Sequence, residues 1–299
     1  MRSMTGRLAA GLAAALLLAS CTSDGGSAGG SAESSPGSST SAAPTTPARD
    51  GSYLALGDSV PFGFRGGLST EYRDATNFVG YPELVGKDLG LDVINATCPG
   101  ETTASFLDVT AQSNGCENRV GSDSGYRDHF PLHVPYDSPD QTQLEFALET
   151  LRRADDVRLI TVQIGANDAF VCQSTTADHC QDAAEMRALR ETIQTDLGRI
   201  LSTLRGEGRY DGQIVVVDYY AFDYTSTWAN ASSLLNSVIA GVARANGATV
   251  ADAFNAFQKA AAQSGGNSVT AGLLLPNDVH PTEKGQRLLA DTVESVVAD

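Results

Sequence analysis

Five short apolar runs alternate along the chain with amphipathic stretches of helical length, and this alternation limits the fold more than any other feature. The runs lie near Tyr53, Val93, Ile164, Val216 and Val250. Such alternation is typical of a parallel sheet that is covered by helices on both faces. The sequence therefore predicts an α/β fold with a five-stranded parallel sheet.

The stretches between the runs have the period of helices that bury one face. In QTQLEFALETLRRA, apolar residues recur at i, i+3, i+4 and i+7 from Leu144 onward. Similar stripes cover residues 186–204 and the segment SSLLNSVIAGVARA, where Gly247 is expected to end the helix.

The N-terminal residues have the layout of an export signal. Arg2 and Arg7 precede a run of small apolar residues, and LASC at the end of residues 1–21 resembles the lipobox of bacterial lipoproteins, with Cys21 as the lipidated residue. An ordinary secretory signal is the alternative. We expect an exported protein that is anchored at the outer face of the plasma membrane through Cys21, or secreted.

A tether and one folded domain follow this signal. Residues 22–50 consist largely of Ser, Gly, Ala, Thr and Pro, which cannot bury enough apolar surface to fold. Residues 51–299 have the length and apolar content of a single domain. We expect the chain to be monomeric.

The composition also limits the partners. The formal net charge is −16, which argues against nucleic acid and anionic lipid headgroups because both would be repelled at long range. We therefore expect contact with a membrane only through the lipid anchor.

Four cysteines remain once Cys21 is assigned to the anchor. An exported protein with four thiols is expected to form two disulfides, for which three pairings exist. We favour Cys98 with Cys116 and Cys172 with Cys180, because each pair closes a local loop. A zinc site is the rival interpretation, but the chain has no C-x-x-C spacing.

Polar motifs follow the apolar runs, at the edge of a parallel sheet where ligands bind. GDSV contains Ser59, CPGETTAS contains Gly100, GANDAF contains Asn167, and DVHPT near the C-terminus contains His280. A serine hydroxyl needs an adjacent base to act as a nucleophile, and histidine titrates in the range required of that base.

These four motifs, in this order over residues 53–297, resemble the SGNH, or GDSL, hydrolases. The resemblance implies a three-layer flavodoxin-like fold and cleavage of a small-molecule or lipid ester, with no metal or cofactor. It implies that Ser59 attacks the acyl carbon and that His280 removes its proton. It also implies that the N–H groups of Ser59 and Gly100, with the Asn167 amide, hold the oxyanion. Asp58 is interpreted as a capping residue rather than a catalytic acid.

The acid of the triad departs from the family pattern. The family usually has a carboxylate three residues before the histidine, but that position is Asn277, and Asp278 lies only two residues before His280. Three arrangements stay open: Asp278 reaches His280 through a shifted loop, a backbone carbonyl orients the histidine, or the enzyme is slow. We favour Asp278.

Two other features leave alternatives open. Residues 110–140 lack periodicity, so they form either a wall of the substrate cleft or an ordinary packed loop. His129 and His133 lack the glutamate of H-E-x-x-H, so we expect no metal there. Two other functions also remain: a carbohydrate O-deacetylase of the same fold, and a non-catalytic envelope binding protein.

Overall fold

A computed structural model describes residues 50–67 and 70–298. The export signal, Cys21 and nearly all of the proposed tether lie outside the described residues. Within the described part of the chain, no helix is both long enough and apolar enough to cross a membrane.

Five strands form one sheet in which all neighbours are parallel, which confirms the predicted fold class. The strands are β1 (Ser52–Gly57), β2 (Asp92–Asn95), β3 (Val157–Gln163), β4 (Gln213–Val217) and β5 (Thr249–Ala251). Their order across the sheet is β2-β1-β3-β4-β5, which is the flavodoxin-like order. The topological switch point therefore lies between β1 and β3, where ligands bind in such sheets.

Eight α-helices surround this sheet in the described residues. They are α1 (Ser59–Phe62), α2 (Tyr81–Leu89), α3 (Gln143–Arg153), α4 (Ala166–Thr175), α5 (Ala183–Gly206), α6 (Thr227–Ala245), α7 (Ala253–Ala261) and α8 (Glu283–Glu294). Helix α8 packs on α2 and α7, whereas α5 packs on α3, α4 and α6. These two groups form the outer layers of the three-layer fold.

The predicted helices are present, with ends set by local chemistry. Thr142 and Glu145 form a capping box at the start of α3. Leu144, Ala147 and Leu148 are buried, as the periodicity predicts. Gln143 is also fully buried, which the apolar pattern did not predict.

The core lies between the helical layers and the sheet. Strands β1, β3 and β4 are buried along nearly their whole length because helices cover both faces. A second, aromatic cluster of Phe62, Phe78 and Tyr126 packs α1 against the 110–140 region.

Candidate active site

Ser59 lies at the carboxyl end of β1, as the first residue of α1. Asp58 caps this helix: its carboxylate accepts a hydrogen bond from the Val60 N–H at 2.9 Å and another from the Tyr219 hydroxyl at 2.6 Å. Burial raises the pKa of Asp58 to about 7. The first N–H groups of a helix have no acceptor within the helix, and the Asp58 carboxylate accepts one of them. The interpretation of Asp58 as a capping residue is therefore confirmed.

Loops from distant parts of the sequence bring Ser59 and His280 into contact with the same residue, Phe64. The Phe64 N–H donates to the Ser59 carbonyl at 2.9 Å, and the Phe64 ring lies 5.0 Å from the His280 ring, centroid to centroid. Ser59 and His280 each keep 9% of their surface exposed, so neither is sealed in the interior.

Two consecutive tyrosines after β4 form a second link between these loops. The Tyr219 hydroxyl bonds to Asp58, beside the serine, and the Tyr220 hydroxyl donates to the Val279 carbonyl at 2.9 Å, beside the histidine.

Asp278 reaches the histidine despite its unusual spacing. Its Oδ1 lies 2.5 Å from His280 Nδ1, and its Oδ2 accepts the Gly66 N–H at 3.0 Å. Nδ1 therefore carries the hydrogen in this bond, and Nε2 is left to accept a proton. Asn277 has a φ of 58°, in the left-handed region. The residue that follows this turn position is Asp278, whose carboxylate lies beside the imidazole.

The surroundings lower the pKa of both His280 and Asp278. Burial lowers the pKa of His280 and outweighs the Asp278 carboxylate, which raises it. Burial alone would raise the pKa of Asp278, but the Gly66 N–H and His280 outweigh it and lower that pKa. Asp278 is thus ionised and His280 neutral at neutral pH, which is the state that a general base requires.

Gly100 lies on a turn that only glycine fits. Its φ is +90°, and a Cβ there would lie 2.7 Å from the Asn114 carbonyl and the Gly115 Cα. The Gly100 carbonyl accepts the Asn114 N–H at 2.7 Å. The space that a Cβ would need is therefore filled by the backbone of Asn114 and Gly115.

Asn167 lies in the first turn of α4, at the carboxyl end of β3. Its Nδ2 donates to the Glu101 carbonyl at 3.0 Å, and its Oδ1 accepts from Asn114 Nδ2 at 2.8 Å. An amide NH2 has two N–H bonds, so one remains for a substrate oxygen. Gly165 has a φ of +122° and makes the turn before α4.

Buried polar side chains form hydrogen bonds to the loop that carries Gly100 and Glu101. The Glu101 carboxylate accepts bonds from Gln143 Nε2 at 3.0 Å and from the Ser105 hydroxyl. Gln143 also bonds to the Gly57 N–H and carbonyl, next to the GDSV motif. Burial, reinforced by the Glu117 carboxylate, raises the pKa of Glu101 well above its usual value. Sequence reasoning missed Gln143 because no local motif distinguishes it.

The cysteines pair as the sequence analysis favoured, with bonds between Cys98 and Cys116 and between Cys172 and Cys180. Among the described residues, one group of three possible metal ligands lies close together: Cys98, Cys116 and Glu101. The disulfide joins both sulfurs to each other, so this group does not offer two thiolates to a metal.

His129 and His133 each form a hydrogen bond within the folded chain. His129 bonds to the Ser124 hydroxyl, and His133 Nε2 lies 3.0 Å from the Phe62 carbonyl at the end of α1. Region 110–140 therefore serves as a packed loop while Asn114 contacts the site. The single tryptophan of the sequence, Trp228, lies at the start of α6 and is 60% exposed.

Comparison with known proteins identifies a family and solved structures of similar fold. A model of the GDSL-like lipase/acylhydrolase family matches residues 55–288. The fold resembles that of Axe2, an acetylxylan esterase from Geobacillus stearothermophilus, at 14% identity over 82% of this chain and 93% of that one, with a TM-score of 0.51. Phospholipase A1 from Streptomyces albidoflavus matches at 22% identity over 82% of this chain and 98% of that one, with a TM-score of 0.48. A search of curated proteins found no match.

The family match covers the four motifs and runs from Ala55, within β1, to Leu288, within α8. Its reach over most of the chain shows that this protein is a member of the GDSL-like lipase/acylhydrolase family, a family of carboxylic ester hydrolases.

Proposed function

We propose that the protein is an exported serine esterase or lipase that cleaves a carboxylic ester through an acyl-enzyme on Ser59. The Asp278–His280 hydrogen bond of 2.5 Å, in a loop that packs on Phe64 next to Ser59, supports this proposal most directly. The substrate is a small-molecule or lipid ester.

In the first step, the Ser59 Oγ forms a bond to the acyl carbon while His280 Nε2 takes its proton. The carbonyl oxygen becomes an oxyanion, which the N–H groups of Ser59 and Gly100 and the Asn167 amide stabilise. The bond to the alcohol then breaks, and the alcohol leaves with the proton from His280.

Water completes the cycle. The oxygen of a water molecule attacks the acyl carbon while His280 takes a proton from that water. The bond to Ser59 breaks, the proton returns to Ser59, and the carboxylic acid leaves. Asp278 keeps the imidazole in the tautomer that accepts at Nε2 and stabilises the imidazolium that forms in each step.

A fluorophosphonate probe tests the nucleophile. We expect covalent labelling of the native protein and none of Ser59→Ala, because only an activated serine attacks the phosphorus atom. Ser237→Ala is a matched control, since that hydroxyl lies on the exposed side of α6 and bonds to the Ser233 carbonyl. Absence of labelling in the native protein, or labelling that survives in Ser59→Ala, would support the non-catalytic alternative.

The substrate class needs a separate measurement. A panel of nitrophenyl esters of increasing acyl length, assayed beside acetylated xylo-oligosaccharides, separates an esterase or lipase from a carbohydrate O-deacetylase. A strong preference for the acetylated sugars would favour the deacetylase.

The localisation is also part of the proposal. The sequence of residues 1–21 supports export and lipidation of Cys21, and two disulfides are typical of an oxidising compartment. Metabolic labelling with a palmitate analogue should mark the native protein in its producing cell but not Cys21→Ser. Equal labelling of both would remove the anchor from the proposal.

A further inference from the structure

The oxyanion role of Asn167 depends on which way its amide faces. The oxygen and nitrogen of an asparagine amide have nearly the same shape, so the surrounding hydrogen bonds decide its orientation. With the NH2 group toward the substrate, Asn167 donates to an oxyanion. With the amide reversed, an oxygen would face the developing negative charge and repel it.

Two contacts give Asn167 one orientation. The Glu101 carbonyl can only accept a hydrogen bond, so it selects the Asn167 nitrogen, at 3.0 Å. Asn114 Nδ2 donates to the Asn167 oxygen at 2.8 Å and holds the opposite end of the amide. Both bonds must break for the amide to turn over.

Asn114 is itself fixed to the turn that carries Gly100. Its N–H donates to the Gly100 carbonyl at 2.7 Å, and its carbonyl fills the space where a Cβ of residue 100 would lie. Two residues later, Cys116 is bonded to Cys98. Asn114 therefore joins the segment of one oxyanion donor, Gly100, to the side chain of another, Asn167.

We propose that Asn114 is a positioning residue of the oxyanion hole, which keeps the Asn167 amide turned with its N–H toward the substrate oxygen and at a set distance from Gly100. This inference rests on the proposed function. Asn114 acts through Asn167 and takes no part in the proton transfers.

Steady-state kinetics of single and double variants test the inference. Asn167→Ala should lower kcat roughly 100- to 1,000-fold, as expected for the loss of one oxyanion donor. Asn114→Ala should lower kcat about tenfold with little change in KM, because the oxyanion exists only in the transition state. Asn114→Asp should lower kcat further, because its carboxylate faces the Asn167 oxygen and favours the reversed amide.

The double variant separates positioning from general loosening. If Asn114 acts through Asn167, Asn114→Ala should lower kcat less than about twofold in the Asn167→Ala background. Asn118→Ala is the matched control: Asn118 lies on the same loop and bonds to Gln112, Ser113 and Ala111 rather than to Asn167. Its effect on kcat should be equal in both backgrounds.

The outcomes distinguish this inference from the proposed function. If native activity requires Ser59 and Asn167 but both Asn114 variants keep native kcat, only the inference is overturned. Full additivity of Asn114→Ala and Asn167→Ala, in proteins with native thermal unfolding, also overturns it alone. If Ser59→Ala keeps native kcat, the proposed function and the inference fall together. If Asn167→Ala alone keeps native kcat, the oxyanion role of Asn167 and the inference are overturned, and the serine esterase is not.

Discussion

The two sides of the active site are held in different ways. The oxyanion wall, which we define as residues 98–101, 113–116 and Asn167, is joined by a disulfide, by backbone bonds and by the buried Glu101. The acid–base loop, residues 275–281, is a tight turn closed by the bond from the Leu275 N–H to the His280 carbonyl at 3.0 Å.

This difference explains where the chain departs from its family. The acid–base loop makes few bonds to the rest of the protein, chiefly those from Gly66 and Tyr220. Asn277, in the left-handed region, directly precedes Asp278 in this lightly bonded loop, which fits a carboxylate placed one position later than in the family pattern. The oxyanion wall links separate segments, so a similar shift there would break several contacts at once.

The largest expected effect tests whether Asp278 serves as the acid of the triad from its position two residues before His280. Asp278→Ala should lower kcat a hundredfold or more, which corresponds to about 3 kcal/mol of transition-state stabilisation. Asn277→Ala should lower kcat much less and reduce the free energy of unfolding by about 1 kcal/mol, the cost of an alanine in the left-handed region. Steady-state kinetics and urea unfolding measure both. Similar kcat in the native protein and Asp278→Ala would remove Asp278 from the mechanism and break the comparison.

Removing each disulfide in turn sharpens the comparison at the oxyanion wall. Loop-closure entropy predicts that Cys98→Ser/Cys116→Ser lowers the free energy of unfolding by about 3 kcal/mol and Cys172→Ser/Cys180→Ser by about 2.5 kcal/mol. The bridged cysteines are 18 and 8 residues apart in sequence.

The two disulfide variants should differ more in activity than in stability. Only the first releases the segment that carries Gly100 and Asn114, so kcat should fall in that variant alone. Urea unfolding gives the stability, and kcat is measured at a temperature where both variants are folded. An equal loss of kcat in the two variants would show that the first disulfide has no special role in the wall.

The smallest expected effect is a shift in pH dependence. The base must be neutral, so kcat/KM should fall as the pH drops through the pKa of His280, which burial places below the usual value of 6.5. Asp278→Asn removes the carboxylate that raises this pKa, so the acid limb of its residual activity should move to still lower pH. A pH profile of kcat/KM for both proteins measures the shift. A limb that moves upward would mean that Asp278 does not face the base.

Periodicity was enough to predict the α/β class and the five parallel strands, and the motifs located the four loops that hold the candidate site residues. Apolar runs of this length leave few alternatives to a covered parallel sheet, and the carboxyl ends of parallel strands meet at one edge. The capping role of Asp58 was also predictable, because it depends on residues next to it in sequence.

Tertiary structure decided what depends on contacts between distant segments. The spacing in NDVH left the position of the acid open, because the backbone angle of Asn277 determines which side chain faces His280. Asn114 and Gln143 belong to no motif, since their partners are 53 and 86 residues away in sequence. A hydrogen bond over such a distance has no local signature, so only the folded chain reveals it.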